Sequence, residues 1–107
     1  MLNLGEMCAM PSIATTLHNK QLTITPSADF DYRDIDEFVQ AYQSQSDADS
    51  YTIDLRQVSH LDSSTLGMLL LMRKTIQDTT PINITNASAS VKKILIMSRF
   101  DKKFNIE

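Results

Sequence analysis

Apolar residues along this chain change their spacing several times, and each change marks an element. Ile13 to Leu17 and Leu22 to Thr25 are short runs rich in threonine and aliphatics, separated by His18-Asn19-Lys20-Gln21. They read as two strands of a hairpin, with Pro26 ending the second. From Asp31 the period lengthens: Ile35, Phe38, Val39 and Tyr42 fall at i, i+3, i+4 and i+7, one face of a helix. Asp31, followed by Asp34, resembles an acidic N-cap with a favourable first-turn carboxylate. Gln43 to Ser50 contains no Leu, Ile or Val and predicts a polar loop.

Alternation returns in Tyr51-Thr52-Ile53-Asp54-Leu55, where Tyr51, Ile53 and Leu55 share a face of a central strand, and Val58 and Leu61 carry the burial into a turn. Asp62-Ser63-Ser64 are helix-start residues, and Leu66 to Gln77 is rich in helix formers. Pro81 punctuates, and Ile82 to Thr85 predicts another short strand. Asn86 to Ser90 offers caps for a last helix whose inner stripe is Val91, Ile94, Leu95 and Ser98 and which ends near Phe100. Phe104 and Ile106 close the chain as an apolar segment suited to an edge strand. The order ββαβαβα, with its repeated strand-helix-strand crossover, implies an α/β fold with a partly parallel, mixed sheet.

Composition narrows the class. The chain has 107 residues, 42% hydrophobic and 21% charged, the profile of one domain able to bury a core without metal or disulfide staples. Cys8 is the one cysteine, so no internal disulfide forms and a reduced cytoplasmic thiol is expected. Residues 1–10 have neither a basic n-region nor a continuous apolar run, so they read as a tail ahead of a domain spanning 11–107 rather than as a secretory signal. Leu66 to Met72 is the longest apolar run and is closed by Arg73 and Lys74, far short of the roughly 20 residues that span a bilayer. The net charge of −3 argues against direct nucleic-acid binding. Charge is nevertheless uneven: Asp29, Asp31, Asp34, Asp36 and Glu37 crowd the first third, and Lys92, Lys93, Arg99, Lys102 and Lys103 the end. These are solvated faces or a partner-docking surface.

Catalytic chemistry finds little support. His60, Asp62 and Ser63 are the residue types of a nucleophilic triad, but their closeness on one turn makes them diverge, and position 61 is leucine where a nucleophile elbow has glycine. His18, His60 and Cys8 lie in separate segments and make no metal set. With only Gly5 and Gly67 available there is no phosphate loop. The expectation is therefore no catalytic residue, no metal and no cofactor. What stands out is Ser63, Ser64 and Thr65, three hydroxyls behind Asp62 at a helix start, either plain capping groups or something more. Along that helix Leu66, Leu69, Leu70 and Ile76 form one face, with Met68, Leu71 and Met72 towards the other. The second stripe is either covered by a neighbouring helix or exposed as an adaptable docking patch.

The stretch from Tyr51 to Leu71, with Asp54-Leu55 closing a strand and Asp62-Ser63-Ser64-Thr65-Leu66-Gly67 opening a helix, resembles the signature of the STAS family. That family is shared by anti-sigma factor antagonists and sulphate transporter tails. Asn86 to Leu95 and Arg99 to Phe104 are similar to its closing helix and tail, and Phe30-Asp31 to its stand-alone bacterial members. The resemblance implies a single STAS-like domain with a mixed four- to five-stranded sheet and helices packed largely on one face. It further implies a cytoplasmic, non-enzymatic partner switch. The unphosphorylated domain binds an anti-sigma factor, a serine kinase or both; phosphorylation of the serine after the aspartate, here Ser63, breaks the complex, and a PP2C-type phosphatase restores it. Thr65 stands where the family usually has glycine or alanine, which leaves Ser64 and Thr65 as alternative acceptors. The expected docking surface comprises Asp62, Ser63, Ser64, Thr65, Gly67, Met68, Leu71 and Met72 on a monomer. The alternative is a STAS scaffold or small-ligand sensor acting on a partner outside sigma-factor control.

Overall fold

The structure is a computed structural model describing residues 13–44 and 48–107; the expected tail at 1–10 and part of the Gln43 to Ser50 loop fall outside the described residues. Strand β1 (Ile13–His18) pairs antiparallel with β2 (Gln21–Pro26). Their turn residues Asn19 and Lys20 both have positive φ, 51° and 64°, the primed geometry whose twist matches that of paired strands. Asp31 then closes a capping box: it accepts from the Arg33 N–H at 2.9 Å while its own N–H donates to Asp34 at 3.2 Å. This box caps a single 3₁₀ turn, Tyr32–Asp34, so helix α1 (Ile35–Gln43) starts one turn later than the cap suggested. Within α1, Phe38 and Tyr42 are buried, with Phe38 in ring contact with both Phe30 and Tyr42.

Strand β3 (Ser50–Asp54), helix α2 (Ser63–Thr75), strand β4 (Ile82–Thr85), helix α3 (Ala89–Met97), a 3₁₀ turn at Phe100–Lys102 and strand β5 (Asn105–Ile106) complete the chain. The sheet order is β1-β2-β3-β4-β5, with only the first pair antiparallel. Register places Leu22, Tyr51 and Ile82 in one row and Ile24, Ile53 and Ile84 in the next. Both rows are buried in one core with Phe38, Leu69, Val91 and Leu95 from the helices. The opposite face carries Thr16, Thr23, Thr52, Asn83 and Asn105 in a single polar row. This is the mixed α/β sheet expected, at five strands. No helix among the described residues is long and apolar enough to cross a membrane.

Helix α2 departs from expectation in both extent and facing. It begins at Ser63, three residues before Leu66, and stops at Thr75, before Ile76 and Gln77. Its buried stripe is Thr65, Met68, Leu69, Met72 and Arg73, whereas Leu66 and Leu70 are only half-buried and Leu71 is exposed. The physical reason is that two polar residues belong to the inner face. The Thr65 hydroxyl donates to Asp62 at 2.9 Å. The Arg73 guanidinium donates to the carbonyls of Gln77 and Thr80 at 2.5 and 3.0 Å, with longer bonds to Ile76 and Lys103. The Thr65 hydroxyl and the two terminal Arg73 nitrogens are satisfied in this way, which allows their burial, although Arg73 Nε has no partner among the described residues; Met68 and Met72 share this inner stripe. At the last helix, Ser98 is exposed rather than part of the inner stripe, and Arg99, with φ of 62°, ends α3 before Phe100.

Candidate functional site

Asp62 lies at the carboxyl end of the β3–α2 connection, with extended backbone, and caps α2. One of its carboxylate oxygens, Oδ1, accepts three bonds: from the Thr65 N–H at 2.9 Å, the Thr65 hydroxyl at 2.9 Å and the Ser64 hydroxyl at 2.7 Å. These bonds, with a smaller contribution from His60, hold its pKa down at about 2. At neutral pH the cap is therefore a carboxylate, as a helix N-terminus favours.

The three hydroxyls consequently have different fates. Thr65 is fully buried and Ser64 is exposed but bonded to Asp62. Ser63 occupies the first helical position, is exposed, and makes no side-chain hydrogen bond among the described residues. Its role is not that of the cap, which Asp62 fills. Gly67 and Leu71, one and two turns further on, are also exposed, and at about 100° per residue they share the face of Ser63. A β-carbon placed on Gly67 would meet nothing within 4 Å, so among the described residues no other segment presses against it.

The surface continues onto the β2–α1 connection. A shallow cavity of about 220 Å³ is lined by Phe30, Asp31, Arg33, His60 and Asp62, among others. Arg33 forms an exposed ion pair with Asp31 at 2.7 Å, and its hydrogen bonds and charge lower the Asp31 pKa while the Asp62 carboxylate opposes that shift. Behind the site, Asp54 ties the β3–α2 connection to the β4–α3 connection. It accepts from the Arg56 N–H at 3.1 Å, the Arg56 Nε at 2.9 Å and the Asn86 amide at 3.1 Å. Burial raises its pKa, and the bonds from Arg56 and Asn86 outweigh that and lower it.

Of the expected docking residues, Asp62, Ser63, Ser64, Gly67 and Leu71 lie on this surface. Thr65, Met68 and Met72 do not: they are 0%, 3% and 0% exposed because they face the sheet. The adaptable methionine patch is thus part of the core. Arg33 and Asp31 enter the surface from a separate segment that only the fold brings close. A larger cavity, about 590 Å³, is lined by Tyr42, Tyr51, Thr75, Ile76, Gln77 and Thr80 at the other ends of α1, β3 and α2 and does not adjoin Ser63. Among the described residues no group of three or more His, Cys, Asp or Glu side chains could hold a metal ion.

Comparison with known proteins bears on the family and the fold. The profile of the family described as "Mlab, STAS domain" matches residues 13–106. A STAS-domain containing protein of Pseudomonas aeruginosa strain UCBPP-PA14 is 38% identical over 89 residues, covering 81% of this chain and 88% of that one. Among solved structures, a protein described as an anti-sigma factor antagonist of Thermotoga maritima superposes with TM-score 0.76 at 14% identity, covering 88% of this chain and 84% of that one. An anti-sigma factor antagonist from Mycobacterium paratuberculosis gives 0.73 at 20%, covering 92% and 87%. The unphosphorylated form of the antagonist SpoIIAA gives 0.68 at 13%, covering 89% and 86%. With a family profile spanning nearly all the described residues and a curated relative matched over most of its length, the chain belongs to the STAS family.

Proposed function

We propose that this chain is a cytoplasmic, non-enzymatic anti-sigma factor antagonist that binds an anti-sigma factor, a serine kinase or both while unphosphorylated and is released by phosphorylation of Ser63. A PP2C-type phosphatase returns it to the binding form. The observation that carries this reading is the contrast among neighbouring hydroxyls. Ser63 is exposed and uncommitted, Ser64 is held by Asp62, and Thr65 is buried. The structural neighbours described as anti-sigma factor antagonists support the general role.

The physics of the switch is local. A phosphate on Ser63 adds a charge of about −1.5 to −2 at a helix N-terminus, where the dipole and free N–H groups tolerate an anion. The fold survives while the surface becomes strongly negative, because the added charge joins the Asp62 carboxylate. Within a docked interface such like-charge juxtaposition costs several kcal/mol, and each 1.4 kcal/mol is about tenfold in affinity.

The test combines phosphopeptide mapping of protein from its native host with pull-downs of two variants. Ser63→Ala retains the partner constitutively, Ser63→Asp loses it, and both fold. Asp62 supplies the cap, so Ala at the first helical position changes stability by no more than about 0.5 kcal/mol, and Asp there gains about 0.3–1 kcal/mol from the dipole. Label on Ser64 or Thr65 would displace Ser63 as the acceptor. Undiminished binding by both Ser63→Asp and the phosphorylated protein would remove the switch. Capture of a partner unrelated to sigma-factor control would favour the scaffold reading.

A further inference from the structure

Strand β1 is an outer strand of the sheet, and among the described residues nothing pairs with its free edge. Sheet edges are usually blunted by lysine, proline, a bulge or very short length. Ile13-Ala14-Thr15-Thr16-Leu17-His18 is six residues long, contains no Lys, Arg, Asp, Glu or Pro, and pairs with β2 in unbroken register. The opposite edge, β5, is only two residues long.

The hairpin determines which backbone groups face outward. Across a two-residue turn the flanking residues, His18 and Gln21, form a hydrogen-bonded pair, and bonded and non-bonded pairs alternate from there. Thr16 with Thr23 and Ala14 with Thr25 are then bonded inward, leaving the N–H and C=O of Ile13, Thr15 and Leu17 on the free side. Pro26, which has no N–H, falls opposite Ile13 at a non-bonded pair, as this alternation requires. Ile13 gives its N–H to Glu37 at 3.1 Å. Thr15 and Leu17 remain as outward donors, and all three carbonyls as acceptors. On the helix-side face of the same strand Ile13 is buried, whereas Leu17 is 50% exposed.

We propose that β1 pairs antiparallel with β1 of a second copy of this chain about a two-fold axis through Thr15, joining two sheets edge to edge. This register sets Thr15 opposite the second copy's Thr15 and Leu17 opposite its Ile13. Each Thr15 N–H donates to the facing Thr15 carbonyl, and each Leu17 N–H to the facing Ile13 carbonyl. The one edge residue whose N–H is already used, Ile13, meets a Leu17 that needs only its carbonyl. Leu17, which in one chain faces Leu22 on its inner side alone, gains Ile13 of the second copy on its outer side. The Glu37 carboxylates come to opposite ends of the paired strands, separated along them by about 14 Å, beyond the roughly 8 Å Debye length at physiological salt. A second copy is favoured over an unrelated strand because identity supplies this reciprocal pattern of donors and acceptors, as in an isologous contact. Six residues of edge bury less than the roughly 1,200 Å² of stable complexes, so the dimer is weak and reversible. It replaces the expected monomer at high concentration and is independent of whether Ser63 is a phosphosite.

The test is sedimentation equilibrium of the full chain from micromolar to millimolar concentration, with amide exchange at Thr15 and Leu17. Thr15→Pro removes one outward N–H without touching the β2 ladder, and Leu17→Lys places a charge on the edge. The wild type dimerises, with the two amides slowed as concentration rises, and each variant weakens association at least tenfold while melting normally. If Thr15→Pro fails to fold, Leu17→Lys decides. A wild type that stays monomeric overturns the proposal, as does a dimer that a folded Leu17→Lys variant leaves intact. Amides already protected in dilute solution also overturn it, since the edge would then be covered by the chain's own residues 1–12.

Discussion

At the scale of single residues, one carboxylate oxygen separates three adjacent hydroxyls. Asp62 Oδ1 takes the hydroxyls of Ser64 and Thr65 together with the Thr65 N–H, and Ser63 is left facing solvent. The residue types were legible in the sequence, but their division of labour depends on where the helix starts. Gly67 shows the same limit. A glycine within a helix commonly marks a close approach by another segment, yet among the described residues the β-carbon position of Gly67 opens on empty space. Since glycine costs up to about 1 kcal/mol against alanine in a helix interior, Gly67→Ala should stabilise the domain by up to that amount in a thermal melt. Gly67→Leu should fold equally well and weaken partner binding in the pull-down, because the added side chain projects from the Ser63 face. A drop in melting temperature in either variant would show that this surface is packed after all.

At the scale of elements, α2 explains why a hydrophobic count left its facing open. Leucines are so frequent along it that more than one stripe qualifies, and the true inner stripe includes Thr65 and Arg73, which a count of apolar residues discards. Arg73 acts as a clamp. It is 9% exposed and donates to carbonyls of the α2–β4 connection and of Lys103 before β5. Leaving such carbonyls without a donor costs about 1–3 kcal/mol. Arg73→Met should therefore lower the melting temperature by several degrees and speed amide exchange at residues 77–80, while Ser63-dependent binding is retained. Unchanged stability would mean that water replaces the guanidinium without loss.

At the scale of the whole molecule, the β3–α2 connection is held at both ends by acids, Asp54 through Arg56 and Asn86 and Asp62 through Ser64 and Thr65. Asp62 has its pKa lowered from 3.8 to about 2, and Asp54 is lowered as well. The unfolded chain therefore takes up these protons first, so the stabilisation is complete above 3.8 and is lost as pH falls towards 2. Melting temperature should hold steady near neutrality and fall across that interval. Asp62→Ala should lower the plateau and make the acid drop shallower. An equal slope in the variant would assign acid unfolding to other carboxylates.

The sequence by itself determined what depends on local chemistry and period. The hairpin, the strand at Ile82 to Thr85, the Asp31 capping box and the order of strands and helices all follow from turn residues, alternation and caps, which act over a few neighbours. The STAS resemblance likewise rests on contiguous motifs. Tertiary structure decided which face of α2 turns inward, because that choice depends on whether Thr65 and Arg73 find partners: Asp62 within the same turn for one, carbonyls up to thirty residues away for the other. It also decided that Arg33 and Asp31 stand beside Asp62, and that β1 lies at an edge with Leu17 half uncovered. Such contacts form between segments far apart in the chain, where spacing in sequence carries no information about distance in space.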